Sequence, residues 1–159
     1  MILVVLGTHE LPFHRLLHEV EALIKEGYIQ DNVVVQNGNT KFESEHMTIR
    51  RFIPSEEMEK LFREAELVIS HAGTGSVTTA LKYHKKTIVV PRLKKHGEHN
   101  DDHQLQLTES FTSKGHVISM TGEKTLKQAM DELVLFQPTP FQTGNDQMLK
   151  TIKDYIDSV

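Results

Sequence analysis

Short apolar segments alternate with amphipathic segments along this chain of 159 residues, and this alternation constrains the fold more than any other feature. Segments that are apolar on both faces and end in a turn are typical of buried parallel strands. We therefore predict an α/β fold, a parallel sheet with helices on both faces. The predicted strands span residues 1–6, 33–36, 47–53, 67–70, 87–90 and 116–119. Ligands of such sheets bind at the carboxyl ends of the strands.

Helical spacing of apolar residues separates the predicted strands. Leucine, valine and isoleucine recur at that spacing between residues 16 and 24, and Gly27 ends the first helix. Ser55 is predicted to cap the second helix, because a serine before a helical pattern commonly accepts the first free N–H groups. A glycine-rich turn opens a third helix, which ends near Tyr83. Two more helices are predicted from about Asn100 and over residues 123–133.

The last part of the chain departs from this alternation. Pro138 and Pro140 predict a linker, and a final helix follows with one apolar face, formed by Met148, Leu149, Ile152, Tyr155 and Ile156. An apolar helix face must be buried, and the linker lets this one reach a partner. We therefore predict a domain over residues 1–133 and, over 134–159, a linker with a C-terminal amphipathic helix that docks on a partner, with packing on the chain's own sheet as the alternative.

Composition excludes several classes of function. The chain has 18 Lys and Arg residues against 22 Asp and Glu residues, and a net charge of −4 argues against a nucleic-acid binder. It has no cysteine, so disulfides, thiolate metal sites and cysteine nucleophiles are excluded. No segment has the pattern of a signal peptide or the apolar length of a membrane span. We therefore expect a cytoplasmic protein.

Two glycine-containing turns follow predicted strands and favour phosphate binding. The first contains Gly7, Thr8 and His9, and its glycine lets a ligand approach the main chain closely. The second follows strand four and contains His71, Gly73, Thr74, Gly75 and Ser76. This second turn opens a helix, whose free N–H groups and dipole attract anions. It has neither a Walker A lysine nor a complete GxGxxG pattern, so a purely structural turn remains the alternative.

A long polar segment, residues 91–104, follows strand five and has the composition of a functional loop. Its side chains suit hydrogen bonds to a polyhydroxy ligand, the candidates being Glu98, His99, Asp102, His103 and Gln104. A second interpretation is a metal-dependent hydrolase with ligands His96, His99 and His103, although no carboxylate has a diagnostic zinc-site spacing. The basic residues from Lys82 to Lys95, Arg92 among them, are interpreted as a solvated face or as an attraction to anionic lipid or phosphorylated substrate.

These motifs, in this order, resemble the C-terminal domain of family 28 glycosyltransferases. The likeness covers residues 1–133, and its motifs are Leu6-Gly7-Thr8 with Phe13, Gln36-x-Gly38, residues 70–76, Pro91-Arg92, Gly97-Glu98-His99 and Asp102-His103-Gln104. It is greatest to short stand-alone members, which serve bacterial capsular polysaccharide and exopolysaccharide synthesis and eukaryotic dolichol-linked glycan assembly. The resemblance implies a Rossmann-like domain equivalent to the C-terminal half of a GT-B fold.

The resemblance also implies a glycosyltransferase divided between two chains. This chain would bind a UDP-sugar, and a membrane-associated partner subunit would bind a lipid-linked saccharide acceptor and recruit this chain to the inner face of the membrane. The implied reaction is transfer of a hexosyl unit by the heterodimer without a metal or other cofactor, since the UDP-sugar is the donor substrate. A non-catalytic nucleotide-binding module that regulates a partner is the alternative.

Residue roles follow from the resemblance. The turn at Gly7 and Thr8 and the loop from His71 to Ser76 are implied to hold the diphosphate, and the main chain at Phe52 and Ile53 to contact uracil. Asp102, His103 and Gln104 are implied to contact the sugar, with Glu98 and His99 close by. Relatives often have a ribose-binding glutamate at the position of Thr79. The general base is expected on the partner, and His99 and His9 are the local candidates for a catalytic role.

Overall fold

The computed structural model describes residues 1–141. Strands alternate with helices as predicted, except that the third strand follows the second without a helix between them. The strands are β1 (Ile2–Val5), β2 (Val33–Gln36), β3 (Thr48–Arg50), β4 (Leu67–His71), β5 (Lys86–Val90) and β6 (Ile118–Ser119). The helices are α1 (His14–Lys25), α2 (Ser55–Glu64), α3 (Thr74–Lys82), α4 (His103–Ser113) and α5 (Leu126–Leu133). All the strands pair in parallel, in the order β3-β2-β1-β4-β5-β6.

Helices cover both faces of the sheet, as the apolar strands predict. Ile2 and Val4 of β1 pack in one cluster with residues of α1 and α5, such as Leu16 and Leu126. On the opposite face, the alternate residues of β1 pack with α2 and α3, and α4 joins α3 in a further cluster. Because successive side chains of a strand point to opposite faces, β1 is buried on both sides. The predicted α/β architecture is confirmed.

Three predictions about helix starts are wrong. α5 begins at Leu126, after the N-cap Thr125, rather than at residue 123. Ser55 is the first residue of α2 and makes no capping hydrogen bond, because the non-helical N-cap position belongs to Pro54 (φ −55°, ψ 148°). α4 begins at His103 rather than near Asn100. At this helix start the carboxylate of Asp101 accepts the His103 N–H at 2.9 Å. His99 therefore precedes the helix and does not share a helix face with His103.

The basic residues that cluster along the sequence separate in space. Lys85 and Lys86 lie at the start of β5, and their ammonium groups donate to the carbonyls of Arg63 and Leu133. Lys94 and Lys95 lie beyond the opposite end of the same strand. Arg92 is only 1% exposed. The prediction of one solvated face is therefore wrong for Arg92, and the others do not form a single patch.

The chain beyond α5 lies against the domain as far as the structure describes it. The Thr139 N–H donates to the carbonyl of Gly115 at 2.8 Å, and the Thr139 carbonyl lies 2.8 Å from Nδ1 of His116. Phe141 is buried, and its ring meets the His116 ring edge to face. The domain boundary at residue 133 stays a prediction, and the predicted final helix lies outside the described residues.

Within residues 1–141, none of the helices combines the length and apolar character that crossing a membrane requires.

Candidate functional site

The candidate site lies where the carboxyl ends of β1, β4 and β5 meet. The sheet order runs outward from β1 to β3 on one side and from β4 to β6 on the other, so the topology reverses between β1 and β4. Such a switch point leaves a crevice beyond the strand ends, where ligands of open α/β sheets bind. The turn after β1, the turn after β4 and the segment after β5 all begin at this edge.

His71, the last residue of β4, occupies the floor of this crevice, and two glycines make room for its ring. A Cβ atom on Gly7 or on Gly73 would overlap the His71 imidazole, with 2.6 Å separating a Gly73 Cβ from Nε2. Gly7 also has φ +77°, which strains any residue with a side chain. Close main-chain approach at Gly7 was predicted for a ligand, but in the structure the approaching group is a protein side chain.

The start of α3 presents free N–H groups to the crevice. Gly73 is the N-cap, and the first turn contains no acidic residue and receives no side-chain cap. The first intrahelical bond is donated by Val77 to the Gly73 carbonyl, which leaves the N–H groups of Thr74, Gly75 and Ser76 for a ligand. A Cβ on Gly75 would meet nothing within 4 Å, so open space lies beside this turn. The arrangement can bind an anion.

Gln104 is buried rather than turned towards the crevice opening. Its side-chain oxygen accepts the N–H of Ala72 at 3.2 Å and the N–H of Arg92 at 3.0 Å, and its nitrogen lies 3.2 Å from Nδ1 of His71. The carboxamide therefore joins the turn after β4 to the segment after β5. A contact of Gln104 with a sugar was predicted and stays a prediction, since the described contacts are all with protein.

Arg92 is a buried cation that the sequence analysis did not assign to the site. Its guanidinium donates to the carbonyls of Leu6, Leu11 and Glu98 at 2.6 to 3.0 Å. It also lies over the Phe13 ring, 5.0 Å from the centroid. Burial lowers the pKa of Arg92 to about 10, so the group is charged at neutral pH. The positive charge favours anions at this edge of the sheet.

Glu98 is also engaged by protein groups. Arg15 of α1 binds both of its carboxylate oxygens, at 2.9 and 3.0 Å, and the Leu93 N–H donates to one of them at 3.1 Å. Glu98 is only 3% exposed. Breaking such a buried pair is costly, because one charge is left without a partner. The geometry indicates that Glu98 holds the segment after β5 to α1.

His9 and His99, the two candidate catalytic residues, stack on each other at the crevice. Their ring centroids are 4.3 Å apart. Nδ1 of His9 accepts the N–H of Leu11 at 3.1 Å. Burial lowers the pKa of His9, and the neighbouring charges of His99 and Arg92 lower it further. A neutral His9 is therefore favoured, and because its Nδ1 accepts the Leu11 N–H, its Nε2 carries the proton and can donate.

The remaining predicted residues lie around the rim. Asp102 is exposed, and its carboxylate accepts the N–H of Lys94 at 3.0 Å. His103 is partly buried at the start of α4. Thr8 is exposed in the turn after β1, and the Asn39 side chain donates to its carbonyl at 3.2 Å. Thr79 donates its hydroxyl hydrogen to the Gly75 carbonyl at 2.7 Å, so this side chain rests on the same turn.

Phe52 and Ile53 lie farther along the same edge, after β3. Phe52 is half exposed and Ile53 is buried. Two strands, β2 and β1, separate β3 from the crevice at β4. The structure thus brings together the two glycine turns and the segment after β5, and it places Phe52 and Ile53 to one side. The contact of these two residues with uracil stays a prediction.

Within residues 1–141, no three histidine, aspartate or glutamate side chains converge as a metal site requires. His96 lies in the exposed 3₁₀ turn at Lys94–His96, while His99 stacks on His9. Nδ1 of His99 lies 3.1 Å from a carboxylate oxygen of Asp101. The hydrolase interpretation therefore gains no support from the geometry.

Comparisons with known proteins agree with the predicted family. A model of the glycosyltransferase family 28 C-terminal domain matches residues 1–159. A UDP-N-acetylglucosamine transferase subunit ALG13 of Yarrowia lipolytica is 31% identical over 129 residues, which cover 74% of this chain and 64% of the relative. A second ALG13 subunit, from Candida glabrata, is 42% identical over 59 residues, 36% of this chain and 27% of the relative. The chain thus spans less than two thirds of these curated relatives.

Solved structures agree on the fold. An NMR structure of ALG13 matches with a TM-score of 0.59 at 20% identity, and the match covers 95% of this chain and 94% of that one. The glycosyltransferase SnogD from Streptomyces nogalater matches with a TM-score of 0.53 at 16% identity, over 98% of this chain and 38% of that one. A match to two fifths of the longer enzyme fits one half of a GT-B fold.

Proposed function

The chain belongs to the glycosyltransferase family 28 C-terminal domain family, and on that premise we propose that it is the donor-binding catalytic subunit of a two-chain glycosyltransferase. It binds a UDP-sugar in the crevice between β1 and β4. A membrane-associated partner subunit binds a lipid-linked saccharide acceptor and brings this chain to the membrane. The product belongs to glycan or polysaccharide biosynthesis.

One observation carries the proposal: the start of α3 is an uncapped helix end beside open space. The N–H groups of Thr74, Gly75 and Ser76 have no acidic neighbour in the first turn. A diphosphate accepts hydrogen bonds from such N–H groups and is attracted by the helix dipole. The buried charge of Arg92 at the same edge adds to the attraction.

N-acetylglucosamine is the sugar that we propose for the donor. The support is the name of the relatives, which are UDP-N-acetylglucosamine transferase subunits. Asp102 and His103 lie at the rim, where a sugar attached to the diphosphate would extend. The relatives are named as subunits of a transferase, and this supports the proposal that a second chain completes the enzyme.

The chemistry asked of this chain is stabilisation of the leaving UDP. Negative charge grows on the diphosphate as the bond to the sugar breaks, and donors fixed in advance stabilise that charge. The N–H groups of α3 are such donors. Deprotonation of the acceptor hydroxyl is assigned to the partner, because the Nδ1 lone pair of His9 already accepts the Leu11 N–H.

Calorimetry on the purified chain tests the binding site. UDP should bind, ADP should bind much more weakly, and Gly75→Val should abolish UDP binding without unfolding, because a Cβ at Gly75 meets no protein atom and only fills space proposed for phosphate. Lys127→Val places the same side chain at the second residue of α5 and is the matched control. Unchanged UDP affinity in Gly75→Val would locate the diphosphate elsewhere.

Transfer of labelled sugar tests catalysis. We expect transfer from UDP-N-acetylglucosamine to a lipid-linked acceptor only when the chain is co-expressed with its partner. UDP binding without any transfer by the pair would instead support the non-catalytic regulatory module.

A further inference from the structure

The buried side chain of Gln104 has only one consistent orientation. Its oxygen end receives two main-chain N–H groups, from Ala72 and from Arg92. An amide nitrogen cannot accept either bond, so exchanging the two ends would leave two buried donors facing a third donor. The NH₂ end of Gln104 therefore faces His71, and it lies 3.2 Å from Nδ1.

This orientation determines the tautomer of His71. Because Gln104 can only donate at this end, Nδ1 of His71 must accept, and the ring proton is on Nε2. The ring also stays neutral. Burial lowers the pKa of His71 to about 3, and the charges of Arg92, His99 and His9 act in the same direction.

Nε2 of His71 lies between the two turns of the proposed diphosphate site. A Cβ on Gly7 would overlap Nε2, and a Cβ on Gly73, the N-cap of α3, would lie 2.6 Å from it. Among the described residues, no protein group accepts a hydrogen bond from Nε2. A donor with no protein acceptor thus lies beside the free N–H groups of α3.

We propose that Gln104 is a positioning residue, which holds His71 as a neutral Nε2–H donor directed at the diphosphate of the bound nucleotide. This inference rests on the proposed function, and it gives Gln104 a role through His71 instead of a contact with the sugar. The opposite tautomer would present a lone pair to phosphate oxygens and would repel them. The His71 ring therefore favours diphosphate binding only when its proton is on Nε2.

Nitrogen NMR of the imidazole rings tests the tautomer without any ligand. In the wild-type chain His71 should show protonated Nε2 and unprotonated Nδ1, unchanged from about pH 8 to about pH 5. The His71 signals are assigned by their loss in His71→Gln. Protonated Nδ1 in the wild type would overturn the proposal, whatever the variants do.

The decisive variant is Gln104→Glu. A carboxylate still accepts the N–H groups of Ala72 and Arg92, but its second oxygen accepts from His71 and so draws the proton to Nδ1. UDP affinity should fall about 10-fold at about pH 8, the loss expected for one hydrogen bond to a charged group. Gln106→Glu is the matched control, because Gln106 is exposed on the same helix and adds the same charge.

The pH dependence of UDP affinity distinguishes a change of tautomer in Gln104→Glu from a loss of structure. In Gln104→Glu the carboxylate favours a protonated His71, which restores the Nε2–H donor, so the affinity gap to the wild type should narrow towards about pH 5. A gap that does not depend on pH, or an equal loss in Gln106→Glu, would contradict the proposal. Absence of UDP binding by the wild type, with the His71 tautomer as stated, would refute the proposed function and not the tautomer.

Discussion

Gly7 and Gly73 both lie against the His71 ring, whereas Gly75 faces open space, so the three glycines of the site differ in what a methyl group would do. Gly73→Ala should lower the free energy of unfolding by about 1–3 kcal/mol, because the new Cβ must displace a buried ring. Gly75→Ala should change it by less than about 0.5 kcal/mol, as substitutions away from packed groups do. Urea unfolding of the two variants measures both values, and equal losses would contradict this account.

His71 also makes stability depend on pH. Its pKa is about 3 in the folded chain, where burial and the charges of Arg92, His99 and His9 lower it, and about 6.5 when unfolded. Between those values the unfolded chain binds more protons, so the free energy of unfolding should fall as the pH falls, by up to about 1.4 kcal/mol per pH unit. The contribution is complete above about pH 6.5.

Urea unfolding of the wild type and of His71→Gln, from about pH 7 to about pH 4, measures this contribution. The variant has no titrating ring at this position, so its stability should fall less steeply. Parallel pH profiles for the two proteins would show that His71 is not neutral in the folded chain.

At the scale of elements, two helix starts each have a hydroxyl residue that suits an N-cap, but only one of these residues makes capping hydrogen bonds. Thr125 caps α5 through a complete capping box, in which its hydroxyl accepts the Gln128 N–H and the Gln128 side chain accepts the Thr125 N–H. Ser55, in contrast, lies inside the first turn of α2 and makes no capping bond. Thr125→Ala should therefore cost about 1 kcal/mol and Ser55→Ala less than about 0.5 kcal/mol. Thermal unfolding of both variants measures these losses of stability, and a larger loss in Ser55→Ala than in Thr125→Ala would contradict the prediction.

At the scale of the whole molecule, the chain after α5 packs against the domain as far as Phe141. Phe141 packs in a core cluster with residues of α3 and α4, and Thr139 bonds to Gly115 and His116. Phe141→Ala should lower the free energy of unfolding by about 3 kcal/mol, as removal of a buried phenylalanine does. Chemical denaturation measures it.

Truncation after Thr143 retains these contacts and removes only the predicted partner-docking helix. The shortened chain should stay folded and bind UDP, and it should lose sugar transfer when co-expressed with the partner. Circular dichroism, calorimetry and the transfer assay give the three readouts. Unfolding or aggregation of the shortened chain would show that residues 144–159 belong to the domain itself.

Local patterns in the sequence determined the architecture of this protein. The strands are apolar on both faces and the helices on one, and these periods depend only on neighbouring residues, so the α/β fold and the parallel sheet were predictable. The family was indicated separately, by the resemblance of the motifs. The edge of the sheet that forms the site was predictable for the same reason, since glycine turns and a polar segment follow the strands that end there.

Tertiary structure decided the roles of single side chains. Gln104, Glu98 and Arg92 belong to a segment with the composition of a ligand-binding loop. In the structure each is buried by partners 5 to 86 residues away in sequence. The missing side chain of Gly7 was predicted to let a ligand approach, but in the structure the His71 ring, 64 positions later in the sequence, occupies that space. Sequence spacing carries no signal for such contacts, because they exist only once the sheet has brought three strand ends together. The neutral state and the tautomer of His71 follow from that assembly alone, since burial and the orientation of one amide determine them.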